Sequence, residues 1–238
     1  MIKTLLVVGK EYSQDPEFVN SAVDEGKIVV SATNIEDTEI LRPKAPSMSF
    51  LWHPSSPVSA RSMVLKTETA LESLDCGILF FDTYSFIQEY EKLTADVLAR
   101  GVDNMFLGYS YVTAELYNRF VLKEKGVLCY VLNSSPSFLS ITKNNSKAVQ
   151  GIKKASPFVS AMEAAFKTFA ENCAAQFSTA KIPVLLVENN TEHDVSLGSW
   201  LFPYLEDFAD NFTQKKSKNS FQWVEKGAKL SSGKLFRN

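Results

Sequence analysis

Histidine occurs twice and cysteine three times in this chain of 238 residues, and neither falls into a ligand-like pattern. Cys76, Cys129 and Cys173 form no C-x-x-C pair, and their odd number argues against a disulfide framework and against a thiolate metal site. They read as small core hydrophobes in a chain expected to live in reducing cytoplasm. His53 and His193 lie far apart and outside any H-x-x-x-H or H-E-x-x-H arrangement, so no metal site is expected. An excess of one charge is also missing. Lys plus Arg number 25 against 27 Asp plus Glu, a net charge of −2, which supplies no basic field for nucleic acid or an anionic membrane. Long apolar runs are absent as well. Residues 5–8 after Lys3 are too few for a signal peptide, and no stretch approaches the roughly 18 residues of a membrane span. No internal repeat or Pro/Gly-rich linker divides the chain, so one domain over 1–238 is expected.

What is present is an alternation of strand-like and helix-like segments. Residues 3–8, rich in Leu and Val, end at Gly9, and residues 15–25 open on Asp-Pro and close at Gly26. A second apolar run at 28–32 completes a β-α-β unit whose helical crossover favours a parallel pair. A weak strand at 49–52, a helix at 61–74 and continuous apolar strands at 77–81 and 127–132 follow. Helical composition at 95–100 and 105–122 lies between the last two. Residues 158–177 place Phe158, Met162, Phe166, Phe169, Cys173 and Phe177 on one helical face. A strand at 182–187, a helix at 200–212 and an edge strand at 221–224 finish the chain. This alternation predicts an α/β protein, Rossmann-like, with a doubly wound parallel sheet. Two segments stand apart: a polar connection at 136–157, and a basic C-terminal segment at 213–238 with seven Lys or Arg against the single acid Glu225.

The order and spacing of these elements resemble the short-chain dehydrogenase/reductase family over nearly the whole chain. Gly9 and Gly26 stand seventeen positions apart, as do the first glycine of that family's G-x-x-x-G-x-G turn and the glycine that ends its first helix. Asn133-Ser134-Ser135 closes a strand as the family's serine pair does. The stretch from Ser156 to Ala165 looks like the helix that carries the family's Tyr-x-x-x-Lys. The resemblance implies a nucleotide-binding fold with NAD or NADP as possible cofactor, and a homodimer or homotetramer formed through helices 105–122 and 158–177.

The departures from that pattern predict a degenerate member. The second and third turn glycines fall on Ser13 and Asp15, leaving Gly9 alone. Asp15, as N-cap with Pro16 at the first helical position, would satisfy the free amides and repel a diphosphate, or would simply cap the helix. Thr33 and Asn34 stand where the resemblance implies a charged ribose or phosphate reader, and neither carries charge. Phe80-Phe81-Asp82-Thr83 replaces the family's Asn-Asn-Ala-Gly; core burial is the expected fate of the two rings. Phe158 takes the tyrosine position and Met162 the lysine position, so the family's proton transfer has neither its acid nor its cation. A one-residue shift gives Pro157 or Val159 for the tyrosine and Ala161 or Glu163 for the lysine. Only Ser135 matches the catalytic set, as a hydroxyl without an adjacent base. The family's helix asparagine falls near Met105, beside Asn104.

Other polar features carry blander readings. Glu188, Glu192, Asp194, Glu206, Asp207 and Asp210 suggest a solvated loop and helix face without a catalytic pair. Lys143, Lys147, Lys153 and Lys154 either bind an anion at the cleft mouth or belong to a solvated loop. The basic segment, with Lys215, Lys216, Lys218, Lys226, Lys229, Lys234 and Arg237, is expected to balance the acidic stretch before it rather than bind nucleic acid. Together the residues predict a pseudoenzyme or binding protein. The alternatives are an atypical NAD(P)-dependent oxidoreductase acting on a small carbonyl or alcohol, using Ser135 and a tyrosine from elsewhere such as Tyr84, Tyr109 or Tyr111, and an oligomeric interaction scaffold.

Overall fold

A computed structural model describes residues 1–12, 15–33, 47–136, 154–192, 194–212 and 221–229. Seven parallel strands form one sheet in the order β3-β2-β1-β4-β5-β6-β7. They are β1 (Thr4–Val8), β2 (Ile28–Thr33), β3 (Met48–Leu51), β4 (Cys76–Asp82), β5 (Val127–Asn133), β6 (Val184–Asn189) and the short edge β7 (Val224–Glu225). Every residue of β1, β4 and β5 is buried, which is why these segments read as unbroken apolar runs rather than as an alternation. Phe80 and Phe81 both go into the core, one on each face of the sheet.

Helices cover both faces. Successive strand residues alternate between two apolar layers, with Leu6, Leu79, Phe81 and Tyr130 in one and Leu5, Ile78, Phe80 and Cys129 in the other. The second layer is closed by α1 (Pro16–Asp24) and α7 (Leu197–Phe212). The first is closed by α2 (Pro57–Leu71), α5 (Gly108–Lys123) and α6 (Pro157–Thr179), with α3 (Thr83–Glu89) and α4 (Ala95–Val102) at its margin. Cys76, Cys129 and Cys173 are free and buried.

Local chemistry explains the boundaries. Asp15 Oδ1 accepts from Phe18 N at 3.2 Å with Pro16 next, the expected cap and first-turn proline of α1. The same pairing of a capping Ser with Pro starts α2 at Pro57, earlier than expected, because Ser56 Oγ accepts from Ser59 N at 3.1 Å. Ser156 caps α6 likewise. The two helices expected at 95–100 and 105–122 are one helical run, joined by a π-helical turn over Asp103–Leu107. Helix α3 was not expected; its start is fixed by Asp82, whose Oδ1 accepts from Tyr84 N at 3.2 Å. Among the described residues no helix is long and apolar enough to cross a membrane.

Candidate functional site at the carboxyl edge of the sheet

The strand order changes direction between β1 and β4, and open parallel sheets bind ligands in the crevice outside the carboxyl ends at such a point. Here the described residues pack closely at the end of β1. Gly9 leaves β1 with φ +85°, where a Cβ would stand 2.1 Å from the Phe80 carbonyl oxygen and 2.2 Å from the Tyr109 hydroxyl. That hydroxyl donates to Phe80 O at 2.7 Å, so the strand ends and α5 meet at the glycine with no space left.

Lys10 turns inward from the same point. Its Nζ lies 2.9 Å from Asp82 Oδ2, 3.0 Å from Asp15 Oδ2 and 4.8 Å from the centre of the Phe80 ring, with the side chain only 10% exposed. Burial pulls the ammonium pKa down, but Asp82 and then Asp15 outweigh it and hold Lys10 above the ordinary lysine value. Asp82 is shared further: Asn133 Nδ2 donates to its Oδ1 at 3.0 Å, and Asn189 Nδ2 donates to Asn133 Oδ1 at 3.0 Å. The register produces this ladder, since Asp82, Asn133 and Asn189 are partners across β4, β5 and β6.

These residues do not fit a dinucleotide. Two carboxylates share a single ammonium where a diphosphate would need amide donors and positive charge, and a further dianion would leave the cluster strongly uncompensated. At the end of β2, Thr33 Oγ1 donates to Glu11 Oε2 at 3.0 Å. A carboxylate therefore does reach the position that lacked one in the sequence, but it arrives from the β1 turn and is already bonded. Ser31 Oγ donates to Lys10 O at 3.2 Å and ties that turn to β2.

A different arrangement occupies the ends of β4, β5 and β6. Glu163, on α6, accepts from Thr83 Oγ1 at 2.7 Å and from Ser134 Oγ at 2.9 Å. Burial raises its pKa against the opposing pull of the two hydroxyls. One turn on, Lys167 Nζ lies 3.1 Å from Glu188 Oε2. Tyr84 sits nearby with its phenol pushed up by burial and by Glu192, Asp82 and Glu163. Ser135 Oγ is buried without a hydrogen-bond partner among the described residues.

The structure brings together Gly9, Asp15 and Lys10, and separately Ser134 and Glu163. Phe158 and Met162 are half-buried and pack against the apolar layer. The Phe158 ring lies 6.2 Å from that of Tyr90 and would touch a Cβ on Gly101. Asn104 Nδ2 donates to the Tyr90 hydroxyl at 2.6 Å. Tyr109 is wholly buried and its phenol is pushed far up by burial. Sequence reasoning missed Lys10 and passed over Glu163. The signal for Lys10 was a lysine directly after the only turn glycine; for Glu163 it was the Ala-Ala that follows it, which suits the one-residue shift.

Asp207 and Asp210 are exposed as expected of a solvated helix face, while three of the other acids enter ion pairs. Glu188 pairs with Lys167, Glu206 with the buried Lys27, and Asp194 with Lys226. Lys226 belongs to the basic segment, so part of that segment does neutralise the acids before it. Ser13, Asn34, Lys143, Lys147, Lys153, His193, Lys215, Lys216, Lys218, Lys234 and Arg237 lie outside the described residues. Among the described residues no group of three His, Cys, Asp or Glu could hold a metal ion.

No protein-family model matches the sequence, and no curated relative matches it. Solved structures do. A short-chain dehydrogenase from Leptospira borgpetersenii with bound NAD+ is 14% identical, with a TM-score of 0.62, over 94% of this chain and 91% of that one. The NADH-dependent reductase A1-R' with NAD is 13% identical, with a TM-score of 0.62 and 94% of each chain covered. A short-chain dehydrogenase from Streptomyces avermitilis is 13% identical, with a TM-score of 0.58, over 95% of this chain and 89% of that one. The chain is a Rossmann-like α/β protein. Its particular form is the short-chain dehydrogenase fold, nearly end to end.

Proposed function

We propose that this chain is a binding protein or pseudoenzyme on the short-chain dehydrogenase fold, with its nucleotide crevice closed by its own ion cluster. The observation that carries this is Lys10 between Asp15 and Asp82 at the change of strand direction. Phe158 and Met162 in place of an acid and a cation agree with it. Calorimetric titration with NAD+, NADH, NADP+ and NADPH at low salt tests the reading. No heat up to millimolar ligand is the expected result. Binding near micromolar, about −8 kcal/mol, would overturn it.

An atypical oxidoreductase acting on a small carbonyl or alcohol is the second reading. Glu163 favours it, as a carboxyl with a raised pKa held at the strand ends by two hydroxyls. Turnover of any member of a carbonyl and alcohol panel with NAD(P), lost in Glu163→Gln, would establish it in place of the first. For assembly, we propose a homodimer or homotetramer through helices 105–122 and 158–177 in the cytoplasm. Phe106, Tyr117 and Phe169 on these helices remain partly exposed after packing within the chain. Light scattering on the purified protein should give at least twice 26.5 kDa; a monomer would refute the assembly.

A further inference from the structure

Helix α2 gives one apolar face to the sheet and turns a mixed face, with Val58 and Leu65 among polar and basic residues, toward the edge strand. Ala60, Met63, Val64, Thr67 and Leu71 are buried against the core. A second stripe runs along Val58, Arg61, Leu65, Lys66 and Thr69, at helical spacings of three, four and one, and with Phe50 of β3 it lines a groove of about 530 Å³. Val58 is 75% exposed, and Leu65 and the neighbouring Leu51 are 37% and 42% exposed. The groove borders the edge strand, on a flank that neither α5 nor α6 covers. The opposite flank of α2 is already tied to α5, where Glu68 pairs with Arg119 at 3.0 Å and Lys123 at 2.8 Å.

Charge identifies what the groove would accept. Its lining holds two cations, Arg61 and Lys66, and no carboxylate. Neither cation has an ion-pair partner among the described residues, although α2 elsewhere satisfies its charge. An apolar floor between these two cations suits an apolar helix face edged with acids, the helix-in-groove mode of recognition. The stripe from Val58 to Thr69 is about 17 Å long at 1.5 Å per residue, enough for three turns of a partner helix.

We propose that the groove between α2 and β3 docks an acidic amphipathic helix of a partner protein. The proposal does not depend on the crevice at the strand ends, so it stands or falls apart from the reading of function above. Its test uses the full chain and a fluorescein-labelled peptide of about 15 residues, with leucines at helical i, i+3, i+4 and i+7 and glutamates on either side. Anisotropy should show saturable binding at about 10–100 μM. The double substitution Arg61→Glu/Lys66→Glu should weaken binding at least about five-fold, as should Val58→Asp, and raised salt should do the same. All three residues are at the surface, so circular dichroism of the variants should match wild type. A peptide with lysines in place of the glutamates should bind at least about five-fold more weakly. Equal affinity for the lysine peptide, unchanged binding to the double variant, or no binding at millimolar peptide would each overturn the proposal. Self-association of the chain that Val58→Asp abolishes would overturn it too, by showing that a second copy covers the groove.

Discussion

The two halves of the sheet's carboxyl edge handle buried carboxylates in opposite ways. At β1 and β4, Asp15 and Asp82 share one ammonium within the protein, and Tyr84 N and the asparagine ladder meet the other Asp82 oxygen. At β4 and β5, Glu163 takes its hydrogen bonds from two hydroxyls among the described residues, and burial raises its pKa. The first half ties its carboxylates into an internal ion cluster. The second holds a carboxyl whose protonation can still change. Along one sheet edge, then, one position holds its carboxylates in an ion cluster, while the neighbouring position holds a carboxyl with a raised pKa.

Removing the ammonium should break the first half outright. Lys10→Met leaves two carboxylates buried without compensation, and loss of one partner from a buried ion pair costs about 3–5 kcal/mol. Urea unfolding at pH 7 should register a loss of that size, with Asp82→Asn milder because an amide can still accept from Tyr84 N. A Lys10→Met protein within about 1 kcal/mol of wild type would show that the cluster is solvated rather than closed. The pH response has a fixed sign. Because the folded pKa of Lys10 lies above the ordinary value near 10.5, its contribution is complete below that value. It is lost as pH rises through the higher folded value.

Asn133 tests whether the closure extends along the strands. Its side chain donates to Asp82 and accepts from Asn189, and the residue is 2% exposed. Asn133→Ala takes one donor from the Asp82 carboxylate, which keeps Tyr84 N, and one acceptor from the Asn189 amide, which keeps the Thr191 carbonyl, at about 1 kcal/mol. If stability were unchanged, the ladder would be incidental to the ion cluster.

The fold was more legible than the site because the two rest on different kinds of information. Strands β1, β4 and β5 announce themselves as unbroken apolar runs, and Asp15-Pro16 marks the start of α1 by local chemistry alone. Helix α3 escaped because its cap, Asp82, is also the last residue of a strand. The π turn at Asp103–Leu107 escaped because no simple period describes it. The site failed in a characteristic place. Lys10 meets Asp82 across 72 positions of sequence, and Glu163 meets Thr83 across 80, distances that only the strand order makes short. Phe158 and Met162 were readable one residue at a time, whereas the Lys10 ion cluster was not.

The smallest effect is the most diagnostic for the second half. Glu163 has a folded pKa raised above its ordinary value near 4.5. Whatever stability this confers is therefore present below 4.5 and declines as pH rises through the folded value. Glu163→Gln cannot titrate, and its amide can still meet the Thr83 and Ser134 hydroxyls. Relative to this variant, wild type should lose stability between pH 4.5 and 7.5. The difference should stay under about 1 kcal/mol, since the carboxyl is partly open to water and screened accordingly. Urea midpoints for both proteins at the two pH values would show it. A difference of opposite sign would mean that the two hydroxyls stabilise the carboxylate more than burial opposes it. Glu163 would then be as closed as Asp82, and the contrast between the two halves of the edge would disappear.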